Sequence, residues 1–321
     1  MIALAPDQFG ILHALAAPMA EVHGSVAAVI AGTAEGGIWV DAFDAPNVAV
    51  LEGPEGTYLL GTSLDPAAAA EIADLLDDWV YLHVDPRLVS AAPAALPNAF
   101  MVGHPRLLFR LAPCAEGAPV PSGLTLVTDA DGIGQTLMDG AHELGHCRPD
   151  LIVGDRIEIG VWVHPDHRRQ DLARLLVARV LDAAKAAGMT NVGWHCHASN
   201  RGSIALARRF ALGPPVETLA YSASLPAENV GDLTARQCRK LAEHFDAGAS
   251  QIGWLAFHAA CAWALVPDPE RALSAVDRLV DGEWQGEPDW LAGHWAMADL
   301  RHTPRFEAAL ARLRMQKAPP G

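Results

Sequence analysis

Residues 157–188 read IEIGVWVHPDHRRQDLARLLVARVLDAAKAAG, and this stretch decides the fold. Ile157, Ile159, Val161 and Val163 alternate with Glu158, Gly160 and Trp162, which predicts a strand with one apolar face. His164-Pro165-Asp166 breaks that strand. Apolar positions at helical spacing follow, so a long helix is expected from about Gln170. The first N–H groups of a helix lack partners, and the dipole there favours anions. Arg168 and Arg169 stand beside that entrance. The turn therefore predicts a phosphate or pyrophosphate seat within residues 168–174.

Working outward, the flanking segments alternate between strand-like and helix-like runs. LTLVTDA (124–130) reads as a strand and DGIGQTLMDGAHELG (131–145) as a helix. DLIVG (150–154) precedes the strand at 157–163. NVGWHCH (191–197) reads as a strand, SNRGSIALARRFAL (199–212) as a helix, and TLAYSASL (218–225) as a final strand. Such alternation predicts a central sheet flanked by helices.

Residues 1–112 open with an amphipathic helix over about 6–20, followed by strand-like runs at VAAVIAG (26–32), GIWVDAF (37–43), NVAVLEG (47–53) and TYLLGTS (57–63). A helix (66–82) and the run RLLFRLA (106–112) complete this module. Residues 113–123 are rich in Pro, Ala and Gly and read as a linker. Residues 124–226 form the second expected domain. Residues 232–321 offer about five helical segments and no convincing strand, so an all-α domain is expected there. Five of the nine tryptophans (Trp254, Trp263, Trp284, Trp290, Trp295) lie in it at helical spacing, as packing between helices requires.

Composition bounds the function. Apolar residues make up 51% and charged residues 19%, so the 321-residue chain can bury real cores. A formal net charge of -15 argues against a general nucleic-acid binder. The five cysteines are scattered without a Cys-x-x-Cys, which fits a reducing compartment. The first residues lack the basic start of a signal peptide, and no run of about 18 apolar residues appears. A cytoplasmic protein without a membrane span is expected.

The strand–loop–helix at 157–188 resembles the main motif of the GCN5-related N-acetyltransferases (GNAT), a strand followed by Arg/Gln-x-x-Gly-x-Gly/Ala opening a helix. The matching residues are Arg168-Arg169-Gln170-Asp171-Leu172-Ala173. GWHCHASNRGSIALARRFAL (193–212) is similar to the family's next strand and Asn-initiated helix, with Asn200 and Ser203 at positions that often contact the cofactor. The resemblance covers roughly 124–224. It is strongest with a bacterial subgroup whose preceding module is similar to residues 1–112, itself readable as a degenerate copy of the fold. It implies an α+β GNAT fold, single or tandem, with a mixed, mostly antiparallel sheet. It also implies acetyl-CoA as acyl donor and a small-molecule or peptide amine as acceptor. By the same resemblance, Val161, Trp162 and Val163 would pair with the pantetheine arm, and Arg168 to Ala173 would wrap the pyrophosphate. The paired helices of 232–321 are similar to tetratricopeptide-type repeats, implying a surface for a protein partner or a second copy.

Three departures stand out. Asp171 replaces the family glycine, Ala207 stands where a tyrosine often serves as general acid, and Ala211-Leu212 replaces the usual Gly-Phe. Transfer needs a neutral amine, a polarised carbonyl and a protonated leaving thiolate. Glu158, on the strand face assigned to the acceptor groove, is the candidate base. Among His195, Cys196, His197 and Tyr221, His197 is the candidate acid. A non-catalytic acyl-CoA-fold binding protein is the alternative that the departures favour.

AHELGHC (141–147) offers a second alternative. On a helix, His142-Glu143-x-x-His146 would present two imidazoles on one face for zinc, with Glu143 as base. Gly140, Gly145 and Pro149 surround it, and no histidine follows at the extended metalloprotease spacing. No metal ligands are assigned from the sequence.

Overall fold

The computed structural model describes residues 1–112, 119–282 and 284–317. Most of the expected linker, residues 113–118, and Cys114 lie outside the described residues.

The strands are β1 (Ile2–Ala3), β2 (Gly37–Val40), β3 (Val48–Gly53), β4 (Gly56–Gly61), β5 (Leu82–Val84), β6 (Val102–Leu111), β7 (Thr125–Thr128), β8 (Gln135–Asp139), β9 (His142–Val153), β10 (Arg156–Val163), β11 (Asn191–His197) and β12 (Val216–Ser222). They form one sheet in the order β1-β2-β3-β4-β5-β12-β6-β11-β10-β9-β8-β7. Two halves repeat one plan. Antiparallel strands lead to a parallel pair, β4 with β5 in the first half and β10 with β11 in the second. A helix makes each crossover: α3 (Pro66–Leu75) in the first half and α4 (Leu172–Ala186) in the second.

The halves exchange their last strands. β6 pairs antiparallel with β11, and β12 lies between β5 and β6. Phe109 and Leu111 of β6 are buried in the same core as Ile157, Leu176, Val180 and Trp194 of the second half. The first half has its own core, built from Phe9, Leu12, Met19, Val26, Ile38, Leu51 and Tyr58.

Two helix–strand expectations are corrected. Residues 131–145 are not a helix: β8 and β9 form a hairpin across them, closed by Gly140-Ala141 between Asp139 and His142. Gly140 takes the positive φ (56°) that such a tight turn demands. VAAVIAG is not a strand. It lies largely in α2 (Gly24–Ile30), which follows α1 (His13–Val22) and buries nearly all its side chains. A short run buried on every side carries no period to separate helix from strand.

Contact clustering divides the chain into two units. The first comprises residues 1–75, 82–95 and 105–220 and contains both halves; the second comprises residues 76–81, 96–104 and 221–321. Arg201–Ala207 forms α5 in the first unit. The second holds α6 (Ala235–Gly248), α7 (Leu255–Leu265), α8 (Pro269–Asp281), α9 (Pro288–Gly293) and α10 (Pro304–Lys317). Thr234 caps α6 and Asp268 caps α8, each accepting from a backbone N–H of the first turn. No described helix is long and apolar enough to cross a membrane.

Candidate active site

The corner after β10 is built by its sequence. Ile157, Ile159 and Val163 anchor one face in the core under α4. Parallel pairing of β10 with β11 ends at Glu158 opposite Gly193, although β10 runs on to Val163 and β11 to His197. The β9–β10 register shifts between Glu158 and Ile159, where Asp150 is the extra residue of a bulge in β9. Val161, Trp162 and Val163 pair with Cys147, His146 and Gly145 of β9 on one side only. Their other side has no ladder partner in β11, so an extended chain has an edge to lie along.

Beyond Val163, His164 starts a short 3-10 turn (Pro165–His167), and Arg168 folds back to donate from Nε to the Val163 carbonyl at 3.2 Å. Arg169 and Asp171 both adopt left-handed backbone, at φ 64° and 59°. These are the only non-glycine residues with positive φ among those described. Such a conformation costs roughly 1 kcal/mol for a side-chain-bearing residue and is tolerated best by Asn and Asp. Asp171 thus keeps the backbone shape that glycine would give. It occupies the N-cap of α4, yet its carboxylate makes no capping bond and the residue is exposed. The first amides of a 15-residue helix therefore have no side-chain cap.

At the other end of β10, Glu158 is 3% exposed. Its Oε1 accepts from the Gly24 N–H at 2.6 Å and from Arg156 Nη2 at 2.5 Å. The guanidinium also donates to the Ala20 and Glu21 carbonyls. Its Oε2 lies 3.7 Å from His195 Nδ1, while His195 Nε2 sits 3.0 Å from the Val22 carbonyl. Glu55, from the β3–β4 turn, reaches the same place: carboxylate oxygens of Glu55 and Glu158 and a ring nitrogen of His195 all lie within 4.8 Å of one another. Burial pushes the Glu158 carboxyl up, but His195, Arg156, Glu55 and the Gly24 amide together hold it below its usual range. Burial, and then the charge of Glu158, pushes Glu55 up to about 8.

Glu158 lies on the face of β10 opposite the core, and that face is closed at its end by the start of α2. His197 does not meet Glu158. It lies four residues beyond Gly193, a strand distance of ~13 Å, and is buried opposite Arg106. His195 is the histidine beside Glu158. Gly24 and Glu55 were missed, because each reaches Glu158 only through the fold; Arg156 was also missed, although strand alternation puts it on the face of Glu158 two residues away.

Asn200 caps α5 by accepting from the Ser203 N–H at 2.9 Å, and Ser203 Oγ lies 2.9 Å from Trp194 Nε1. Both side chains are committed to this corner.

The zinc geometry expected of AHELGHC fails, because residues 142–153 are strand and not helix. His142 and His146 are four residues apart along β9, ~13 Å in a regular strand and not one helical turn. His146 Nδ1 instead meets Glu143 Oε1 at 2.5 Å and stacks on Trp162, their ring centroids 5.6 Å apart. Glu143, His146 and Trp162 line an open hollow on the Glu158 face of β10, at its outer end.

A strand whose parallel pairing ends early thus leads to an uncapped helix start through left-handed backbone. Residues 132–212 match the acetyltransferase (GNAT) family. Two solved structures agree in fold. A GNAT-like protein from Streptococcus suis is 15% identical with a TM-score of 0.50, covering 67% of this chain and 98% of its own. A Drosophila protein is 12% identical, also at 0.50, covering 68% and 97%. A tandem GNAT protein from the clavulanic acid biosynthesis pathway is 14% identical at 0.47, covering 70% and 98%. No curated protein matches the chain. The GNAT match over residues 132–212 supports acyl transfer as the coarse function.

Proposed function

We propose that the protein is an acetyl-CoA-dependent N-acyltransferase that acts by direct attack of a small-molecule or peptide amine. One observation carries this reading: the start of α4, behind the left-handed residues Arg169 and Asp171, has no side-chain cap, and such a helix start favours an anion. Residues Arg168 to Ala173 would seat the pyrophosphate, and Val161 to Val163 would pair with the pantetheine arm. The acceptor amine would enter over Trp162 and His146.

In this scheme Glu158 receives the amine's proton at a remove, through water or His195, since its carboxylate is enclosed. His197 lies at the same end of the parallel pair as Val163, where the leaving thiolate needs a proton. Thermal-shift titration with acetyl-CoA and CoA, followed by thiol release across a panel of amines, tests the proposal. Stabilisation with thiol release is expected; no stabilisation by either coenzyme overturns it. Glu158→Gln should lose most turnover and keep coenzyme binding. Undiminished turnover removes Glu158 from the role.

The closure of Glu158 favours a second reading, a non-catalytic acyl-CoA-fold protein whose C-terminal helices dock a partner. Stabilisation by acetyl-CoA without thiol release for any amine would select it.

A further inference from the structure

The Glu158 cluster brings two carboxylates and an imidazole nitrogen within 4.8 Å of one another. Glu158 Oε2 and Glu55 Oε2 are both buried without a hydrogen-bond partner. His195 points Nδ1 at Glu158 Oε2, and its Nε2 is next to a carbonyl, which can only accept. Nε2 therefore carries the proton, and Nδ1 offers a lone pair to a carboxylate oxygen. A proton shared by the two carboxylates, or a bound cation, satisfies such a set.

We propose that Glu55, Glu158 and His195 hold a divalent transition-metal ion between the two halves of the sheet. One imidazole nitrogen and two carboxylate oxygens are a donor set that zinc and manganese accept. Tetrahedral donors about 2.1 Å from an ion lie ~3.4 Å apart, close to the 3.7 Å between His195 Nδ1 and Glu158 Oε2. The surroundings match what metal ligands need. A ligating histidine gives its other N–H to a backbone carbonyl, here that of Val22, and ligating carboxylates are themselves hydrogen-bonded, here by Gly24 and Arg156. Arg156 engages only Oε1, leaving Oε2 to the ion.

A second observation points the same way. His23 is 1% exposed, and neither ring nitrogen has a hydrogen-bond partner. Its ring centroid is 5.0 Å from that of His195. A polar ring this deeply enclosed is costly unless a partner is supplied, and a water on the ion would supply one.

The site lies apart from the α4 corner and does not rest on the acyl-transfer reading. It makes a competing demand on Glu158: with the ion bound, Oε2 is a ligand, and the amine's proton must leave by another group.

The test uses the untagged full chain, stripped with chelator and titrated by calorimetry with Zn²⁺, Mn²⁺ and Co²⁺, the last also followed by its visible absorption. One ion per chain at submicromolar affinity is expected. Glu55→Gln should weaken it by roughly 100-fold, and His142→Ala/His146→Ala should leave it unchanged. His195→Gln, checked for folding by circular dichroism, provides a second ligand deletion. No binding to the wild-type chain overturns the proposal, because the cluster then holds only a proton. Equal binding by Glu55→Gln, or loss in the His142/His146 variant instead, also overturns it. Acetyl-CoA stabilisation is measured separately, so failure of the metal site and failure of the coenzyme seat are told apart.

Discussion

The two halves of the sheet meet the same structural problem at the same point and solve it differently. Each leaves a parallel pair by a turn that opens a crossover helix, and each has an aspartate at the helix start. In the first half, Asp65 accepts from the Ala67 and Ala68 N–H groups, both at 2.9 Å, and Pro66 opens α3. The chain's own carboxylate fills that anion site. In the second half, Asp171 is held left-handed at φ 59° and makes no capping bond. Residue type is the same, and backbone conformation decides which helix start remains open to an outside anion. On the proposed function, the first half is a scaffold and the second half carries the seat.

That contrast can be broken from the open side. Reversing both charges beside the seat, Arg168→Glu with Arg169→Glu, should weaken acetyl-CoA by roughly 100-fold at low salt, and by less as salt screens the pair. Both residues are exposed, so the fold should persist. Titration calorimetry at two ionic strengths measures this; unchanged affinity would place the diphosphate elsewhere. The junction between the halves comes next in size. A Cβ at Gly24 would stand 2.9 Å from both Glu158 Oε1 and Leu151 Cδ2. Gly24→Ala should therefore cost about 1–3 kcal/mol, read by denaturant unfolding, with coenzyme affinity at the α4 corner little changed. A neutral result would mean that the start of α2 is not pressed against Glu158.

How much of this the sequence revealed follows the range of each interaction. The β10–α4 corner was legible because strand alternation, the break at His164-Pro165 and the helical period all lie within thirty-odd residues. The hairpin at 135–153 was misread although its signal was present. Asp139-Gly140 is a tight-turn pair, but the helical reading of His-Glu-x-x-His competes with it over adjoining residues. The strand exchange was not legible: nothing local in RLLFRLA (106–112) shows that it completes the core of a domain beginning after the linker. The same holds for the buried cluster. Gly24 and Glu158 are 134 residues apart, and Glu55 reaches Glu158 only because the two halves fold together. His195 was in view as a proton donor, but strand position alone favoured His197, and only the parallel register with Gly193 separates the two.

The smallest effects come from exchanging the two aspartates' circumstances, and they are the most specific. Asp65→Ala should cost about 1 kcal/mol of stability through the lost cap and leave acetyl-CoA affinity unchanged, since the start of α3 is not part of the α4 corner. Asp171→Gly should do the reverse. Glycine occupies the left-handed region freely, so the fold gains up to about 1 kcal/mol. Removing a carboxylate beside the diphosphate should also tighten the coenzyme several-fold. Matched unfolding and calorimetric titrations on the two variants read both quantities. If Asp65→Ala tightened acetyl-CoA and Asp171→Gly did not, the assignment of scaffold and seat would be inverted. The pair decides it because charge removed is the same in both, and only the backbone beneath the carboxylate differs.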